Sequence, residues 1–363
     1  MTLKRNPIRR AALTGFALAT SAALFVQPAA AVETIKLTAV DGYPPKTLWV
    51  KEFINFFIPE IDKRLAAKGN YKIKWNQAWS GQIAKKKKVL QGLQTGLGDI
   101  GVVTTVFHAD KVPLQMVAYA TPFVTSDPGL VARTVDKLAN SMPQFKAAWK
   151  KYNQVYLTNL AVFDNYQIFS RQPITTFADF KGKKINGAGL NLRYLQGFGA
   201  VGVGGSSVKY YNNFKTGLVD GAMLWAEGAV VFKFAEVAPY MLRADIGAAN
   251  SKAITFNADR WKSLPAEVKT VIQESAIAYR DHVTKLAATK SAKAYETFVK
   301  MGGKIHKMSA AERAKWANTM PNVAKDWAAS LEKKGLPGNA VLRSYMETMR
   351  AANQPIIRQW DKE

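Results

Sequence analysis

Between Ile185 and Gly205 the chain reads INGAGLNLRYLQGFGAVGVGG, and Gly197, Gly199 and Gly202 stand in the spacing G-x-G-x-x-G. That spacing cradles a dinucleotide pyrophosphate when it follows a strand and opens a helix, with an acid about twenty residues further on. Here the helical pattern, Leu190 to Phe198, comes before the glycines, and Val201-Gly202-Val203 reads as a short strand after them. Asp220 stands near the right distance, but in a turn. The order helix, glycine, strand is the reverse of the fingerprint and predicts that Gly197 and Gly199 end a helix in left-handed conformation. Other catalytic signatures are missing too. The histidines His108, His282 and His306 have no partner in the H-x-x-x-H or H-E-x-x-H spacing of a metal site. There is no cysteine, no G-x-S-x-G elbow and no P-loop. The expectation is a binding protein with no cofactor, no metal and no catalytic residue.

The elements that would position a binding site follow from periodicity. Thr34 to Val40 alternates and reads as a strand, and Tyr71 to Gln77 and Asp99 to Val103 read as two more. A helix is predicted from about Lys46 to Ala67, kinked or broken at Pro59, and another from about Gln82 to Thr95. This β-α-β-α-β order calls for a parallel sheet with helices on its faces. The middle of the chain alternates again. Strands are predicted at Gln154–Phe163, Gln167–Ser170, Lys183–Asn186, around Val201 and at Gly221–Trp225, with helices near Leu190–Phe198 and Val208–Lys215. The last third is helical: a long helix from Pro265 towards Met301, then helices near Ala310–Lys334 and Gly338–Trp360.

Composition narrows the partners. Lys4, Arg5, Arg9 and Arg10 precede an uncharged run, Ala11 to Val26, and an A-x-A ending before Val32. This is the order of a cleaved secretory signal over residues 1–31, so the mature chain is expected in the periplasm. The net charge of +25 is spread over many segments. The one dense run, Lys85 to Lys88, reads as the solvated face of an amphipathic helix. With no nucleic-acid motif, the charge suits an anionic small ligand better than nucleic acid.

Four segments taken in order resemble one family: Trp79-Ser80-Gly81-Gln82-Ile83 with Gly96-Leu97-Gly98-Asp99-Ile100-Gly101; Tyr119-Ala120-Thr121-Pro122-Phe123; Phe177 to Ile185 running on to Phe198-Gly199-Ala200; and Phe214 to Gly221 with Trp261 to Pro265. The chain resembles the solute-binding proteins of TRAP (tripartite ATP-independent periplasmic) transporters. The resemblance implies an α/β, two-domain periplasmic binding protein fold with crossover strands, a hinged cleft and long C-terminal helices. Residues 32–156 would form domain I, with part of about 243–300 returning to it. Residues 157–242 would form domain II, and the helices of about 301–363 would pack across both. It also implies a small organic acid as ligand, a TRAP permease as membrane partner and no catalysis; an exported enzyme or a ligand sensor on the same frame is the rival reading.

In that family an arginine directly after a short strand pairs the ligand carboxylate, and here Asn186 stands in its place. Arg193, on the next predicted helix, is the first candidate to supply the charge. Without a replacement, either neutral donors and waters would bind the carboxylate, or the ligand would be a zwitterion, an amine or a polyol, and Glu227 could face its cation. The other cleft candidates are residues at strand ends, where open α/β sheets place ligands: Tyr43, Trp79 and Gln82, Thr104 and Thr105, Phe163 and Asn165, and Trp225. Tyr210, Tyr211 and Asn212 open a helix nearby.

Overall fold

The computed structural model describes residues 31–363. The secretory signal expected over residues 1–31 lies, apart from Ala31, outside the described residues. The chain builds two mixed sheets. The first has strand order β2-β1-β3-β10-β4, from β1 (Glu33–Val40), β2 (Tyr71–Ala78), β3 (Ile100–Thr104), β4 (Gln154–Leu160) and β10 (Lys252–Asn257). The second has the order β11-β9-β5-β8-β6-β7, from β5 (Gln167–Ser170), β6 (Lys184–Gly187), β7 (Val201–Gly204), β8 (Gly221–Leu224), β9 (Tyr240–Arg243) and β11 (Lys304–Lys307). The backbone passes between the sheets at residues 161–166, after β4, and at residues 244–251, before β10.

Parallel pairing of β1 with β2 and β3 is what the β-α-β spacing demands, and α1 (Leu48–Glu52), α2 (Ile58–Lys68) and α3 (Val89–Gln94) make the crossovers. β10 runs antiparallel to both β3 and β4. Its first residue, Lys252, therefore lies at the carboxyl end of β3, paired with Thr104. The second sheet repeats the device: β6 is parallel to β8, while β5 is antiparallel to β8 and begins beside its carboxyl end, Gln167 against Leu224.

The helical elements are α4 (Val117–Ala120), α5 (Pro128–Ser141), α6 (Pro143–Lys150), α7 (Ser207–Lys215), α8 (Ala226–Val231), α9 (Ala258–Ser263), α10 (Ala266–Lys300), α11 (Ala310–Thr319), α12 (Val323–Glu332) and α13 (Gly338–Ala351). The 35-residue α10 is about 50 Å long at 1.5 Å per residue. It packs on β4, α5 and α2 beside the first sheet and on α8 beside the second, so it is a spine shared by both. A buried polar node fixes it to β4. Asp136 on α5 accepts hydrogen bonds from Tyr156 Oη at 2.6 Å, Asn159 Nδ2 at 2.8 Å and Arg280 Nη1 at 2.6 Å. Asp136→Ala would leave the buried Tyr156 and Asn159 donors without their acceptor, while Arg280 keeps its pair with Asp281, so urea denaturation should show a loss of about 1–3 kcal/mol.

Four local expectations change in the structure. The helix expected from Lys46 to Ala67 is interrupted by a π-helical turn, Phe53–Phe57, just ahead of Pro59. Proline has no N–H to donate and its ring crowds the carbonyl four residues back, so the wider turn absorbs it. The helix expected from Gln82 shrinks to α3. The preceding loop crosses Gly42 so closely that a Cβ there would sit 2.1 Å from Lys86 N. Lys85 to Lys88 are therefore loop residues, not one face of a helix, and Lys86 is half-buried. Leu190–Phe198 becomes a 3-10 segment, Gly189–Leu195. The two C-terminal helices become three, with Pro321 in the first break, and the last one ends at Ala351 instead of reaching Trp360.

The glycine motif reads as the order of elements predicts. Gly197 and Gly199 have φ of 97° and 77° and carry the chain from the 3-10 segment into β7. A Cβ on Gly197 would stand 2.7 Å from the Thr319 carbonyl, so the position needs glycine for packing as well as for its backbone angle.

Candidate functional site

The carboxyl ends of the two sheets face each other, and the cleft between them is lined from both sides. Tyr43 follows β1, Thr104 ends β3, Val106 and Phe107 come next, and Ser251 and Lys252 begin β10. Opposite stand Asn191 after β6, Ser207 and Tyr210 on α7, Trp225 after β8 and Tyr166 just before β5, while Tyr119, from α4 in the chain between β3 and β4, belongs to the first side. The free cavity among them is only about 30 Å³, so the two sides nearly meet in this structure. The sides touch: Tyr43 Oη is 3.5 Å from Ser206 Oγ, Tyr119 Oη is 2.8 Å from Tyr166 Oη, and the Trp49 and Trp225 rings lie 6.4 Å apart. Gly189 meets Val106 so tightly that a Cβ would fall 2.5 Å from the Val106 carbonyl.

Among the described residues, Lys252 is the one charged side chain in the lining. It is 3% exposed. Its ammonium donates to Thr104 Oγ1 at 3.2 Å and lies 4.2 Å from the Trp49 ring centre and 4.9 Å from that of Tyr43. Among the described residues it makes no ion pair at contact distance. The nearest acid is Asp41, fully buried, whose oxygens are taken by Tyr43 N at 2.8 Å and Trp49 Nε1 at 2.9 Å. Burial pulls Lys252 down to about 7, opposed by the charge of Asp41. Burial likewise pushes Asp41 up to about 7, against its two hydrogen bonds and the charge of Lys252. Two aromatic faces and a hydroxyl only partly replace the hydration of an ammonium. Two of its three donors remain free, and an anion entering the cleft can take them. Lys86 and Lys87 stand 5.5 Å and 5.4 Å over the Tyr43 and Phe107 rings and make the mouth positive.

Of the residues singled out from sequence, Tyr43, Thr104, Tyr210 and Trp225 line this cleft. Phe163 stands one ring behind, stacked on Trp225 at 5.3 Å, and fixes its plane. The others have structural partners or lie outside. Asn186 is fully buried and its amide is spent: Nδ2 donates to Val203 O at 3.0 Å, and Oδ1 accepts from Asn213 Nδ2 at 2.9 Å. Asn165 accepts from Ser126 Oγ, and Trp79 donates to Gln77 and packs on Phe53. Glu227 accepts from Trp225 Nε1 at 3.0 Å outside the lining, and Tyr211 donates to Glu236. Thr105 is buried off the lining, and Gln82 and Asn212 are exposed.

Arg193 is exposed as well. A 3-10 segment eclipses residues three apart. Asn191 and Tyr194 share its inner face, where Tyr194 Oη donates to Tyr119 O, and this turns Arg193 to solvent. Arg193→Ala should accordingly leave the ligand dissociation constant within about twofold in calorimetry, as for other exposed charges.

Lys252, Asn191, Tyr119 and Tyr166 are cleft residues that sequence reasoning missed. For Lys252 a signal existed: a lone lysine opens the apolar, β-branched run Ala253-Ile254-Thr255-Phe256, where each residue is buried in the sheet. Among the described residues no group of three His, Asp or Glu side chains is placed to hold a metal ion, and no helix is long and apolar enough to cross a membrane.

A family model described as bacterial extracellular solute-binding protein, family 7, matches residues 42–356. The C4-dicarboxylate-binding periplasmic protein DctP of Rhodobacter capsulatus is 24% identical over 254 residues, which cover 69% of this chain and 74% of that protein. A TRAP periplasmic solute binding protein of Desulfovibrio salexigens, solved as an open complex, has a TM-score of 0.74 at 22% identity, covering 87% of this chain and 96% of that one. A TRAP solute binding protein of Rhodoferax ferrireducens in complex with copurified benzoate has a TM-score of 0.77 at 17% identity, covering 88% and 98%. At such identities these structures speak to the fold.

Proposed function

Because the chain belongs to family 7 of the bacterial extracellular solute-binding proteins, which are TRAP-type receptors and not enzymes, we propose that it captures a small organic acid between its two sheets, seats the carboxylate on Lys252, and delivers it to the membrane subunits of a TRAP permease. The observation that carries this reading is the buried ammonium of Lys252, in the cleft and, among the described residues, with no ion-pair partner at contact distance. Burying a lysine is costly, and strongly perturbed groups in clefts cluster at functional sites. The names of two related proteins point the same way, one binding C4-dicarboxylates and the other holding benzoate.

A zwitterion, an amine or a polyol is less well served. A cationic ligand group needs an available carboxylate, but Asp41 has both oxygens occupied and Glu227 lies outside the lining. Residues 1–31 would act as the export signal and be removed, leaving the receptor in the periplasm. A ligand touching both sheets favours the closed arrangement over the open one by its differential contacts, so binding should close the cleft.

A thermal-shift screen against small carboxylates, amino acids, amines and polyols tests the proposal. A ligand that binds only the folded state stabilises by about 2.7 kcal/mol at one hundred times its dissociation constant. At least one carboxylate should raise the melting temperature. A shift produced only by amines or polyols would refute the reading.

A further inference from the structure

Resting on the organic-acid reading, we propose that the cleft takes a monocarboxylic acid with a flat, largely apolar body bearing one hydrogen-bond acceptor, the carboxylate on Lys252 and the acceptor on Asn191 Nδ2. The first limit is charge. Among the described residues Lys252 is the one cation in the lining. A second ligand carboxylate inside the cleft would be buried against hydroxyls and rings, and the other cations, Lys86 and Lys87, stand only at its mouth.

The second limit is shape. The Trp225 indole is held parallel to Phe163, with 15° between the ring planes, and its N–H is committed to Glu227. It therefore offers the cleft a ring face, not a donor. Tyr43, Tyr210 and Phe107 add further rings around the space, and Val106, Met223 and Leu224 add aliphatic surface. Aromatic walls of fixed plane favour a planar guest by offset stacking. The Tyr119 and Tyr166 hydroxyls bond to each other across the cleft.

The third limit is a single open donor. Asn191 is fully buried. Its Oδ1 accepts from Ala188 N at 2.7 Å, which fixes which end of the amide is which, because the reverse would set N–H against N–H. Nδ2 is then the other end; it lies beside the Tyr166 hydroxyl but makes no well-formed hydrogen bond among the described residues. Buried donors are nearly always satisfied. A ligand hydroxyl or oxo group would satisfy this one.

Calorimetry on the full-length protein with benzoate, the three hydroxybenzoates, cyclohexanecarboxylate, succinate and benzyl alcohol tests the class. One hydroxybenzoate should bind about tenfold more tightly than benzoate, the loss expected for one unsatisfied donor. Cyclohexanecarboxylate, of similar size but puckered, should be about tenfold weaker than benzoate, and succinate at least about a hundredfold weaker. Asn191→Leu should bring the ratio of the hydroxybenzoate and benzoate dissociation constants close to one, and a melting curve on the same preparation shows whether the variant, which also loses the Oδ1 bond to Ala188 N, is folded. Succinate or cyclohexanecarboxylate binding as tightly as the best flat acid would overturn the inference while leaving the acid receptor standing. So would failure of all the flat acids, or an unchanged hydroxyl preference in Asn191→Leu. Binding of benzyl alcohol with no acid bound would overturn the acid-receptor reading as well.

Discussion

Lys252→Met should lower carboxylate affinity by about a hundredfold or more while leaving the protein folded. Removing one partner of a buried ion pair costs about 3–5 kcal/mol, because the other charge stays buried alone. At 1.4 kcal/mol per tenfold change, that is two to three powers of ten in the dissociation constant. Methionine keeps the unbranched stem that fills the space beside Trp49 and Tyr43 and removes only the charge. Stability should move the other way. Lys252 holds its proton less firmly in the fold than in the unfolded chain, so its protonation in the unfolded state works against folding. That penalty is complete at and below pH 7 and vanishes as pH rises towards 10.5, the ordinary lysine value. At neutral pH the ligand-free variant should therefore melt at the same temperature as the wild type or higher, by about 2 °C for each kcal/mol recovered. Calorimetry and a melting curve on the same preparation decide the matter. Unchanged affinity would remove Lys252 from the ligand, and lost affinity with a collapsed melting temperature would make it a structural residue.

This placement also accounts for Asn186. The family's arginine is expected to reach the ligand from the end of β6, on the second sheet. Here that end is closed by the amide bridge from Asn186 to Val203 and Asn213. The charge comes instead from the start of β10, on the first sheet, directly after the second crossover. The cation therefore sits beside residues 244–251, where the backbone passes from the second sheet to the first.

Features carried by local pattern were legible in the sequence. β1, β2 and α10 appear where their periodicity puts them, and the turn at Gly197 and Gly199 follows from the order of elements around it. Two kinds of feature were not. The first is local structure overridden by a distant backbone: Lys85 to Lys88 lie in a loop because it crosses Gly42, about forty residues away. The second is anything assembled by an antiparallel return. β9 and β10 have four and six residues, too short to show a period, and they return antiparallel to β5 and to β3 and β4, while β11 then adds parallel to β9 at the sheet edge. Lys252 meets Thr104 across 148 residues of chain, and no local spacing encodes that contact. Tyr43 and Trp225 could be found because they follow parallel strands, where ligands usually bind. Lys252 precedes an antiparallel strand, so the same rule passed over it.

Carboxylate binding should weaken by about tenfold per pH unit above 7. The ligand is not the cause, since a carboxylic acid titrates near 4 and stays ionised throughout this range. Burial lowers Lys252 and raises Asp41, both to about 7. Below that value both hold a proton, and the pair offers the ligand one positive charge. Above it the pair as a unit gives up one proton and with it its net positive charge, so nothing in the pair offsets the negative charge of the ligand. The two act as a coupled pair, so the profile reports the pair and not either residue alone. The other groups facing Asp41 do not reproduce the effect. Tyr43 is raised to about 12 and Tyr279 well above the usual tyrosine range, so both stay neutral. Lys86 is held below the usual lysine range, first by burial and then by Lys209, but it stands over Tyr43 at the mouth of the cleft. Titrations of the acid found by screening, at pH 6, 7, 8 and 9, should show constant affinity up to about 7 and a fall of about a hundredfold by 9. Lys252→Met should bind more weakly at every pH and should lose the part of the profile that comes from the lysine, keeping only the part that Asp41 contributes. A wild-type profile level from 6 to 9 would mean that the ligand charge is held by a group that does not titrate in this range, and Lys252 would lose its assignment.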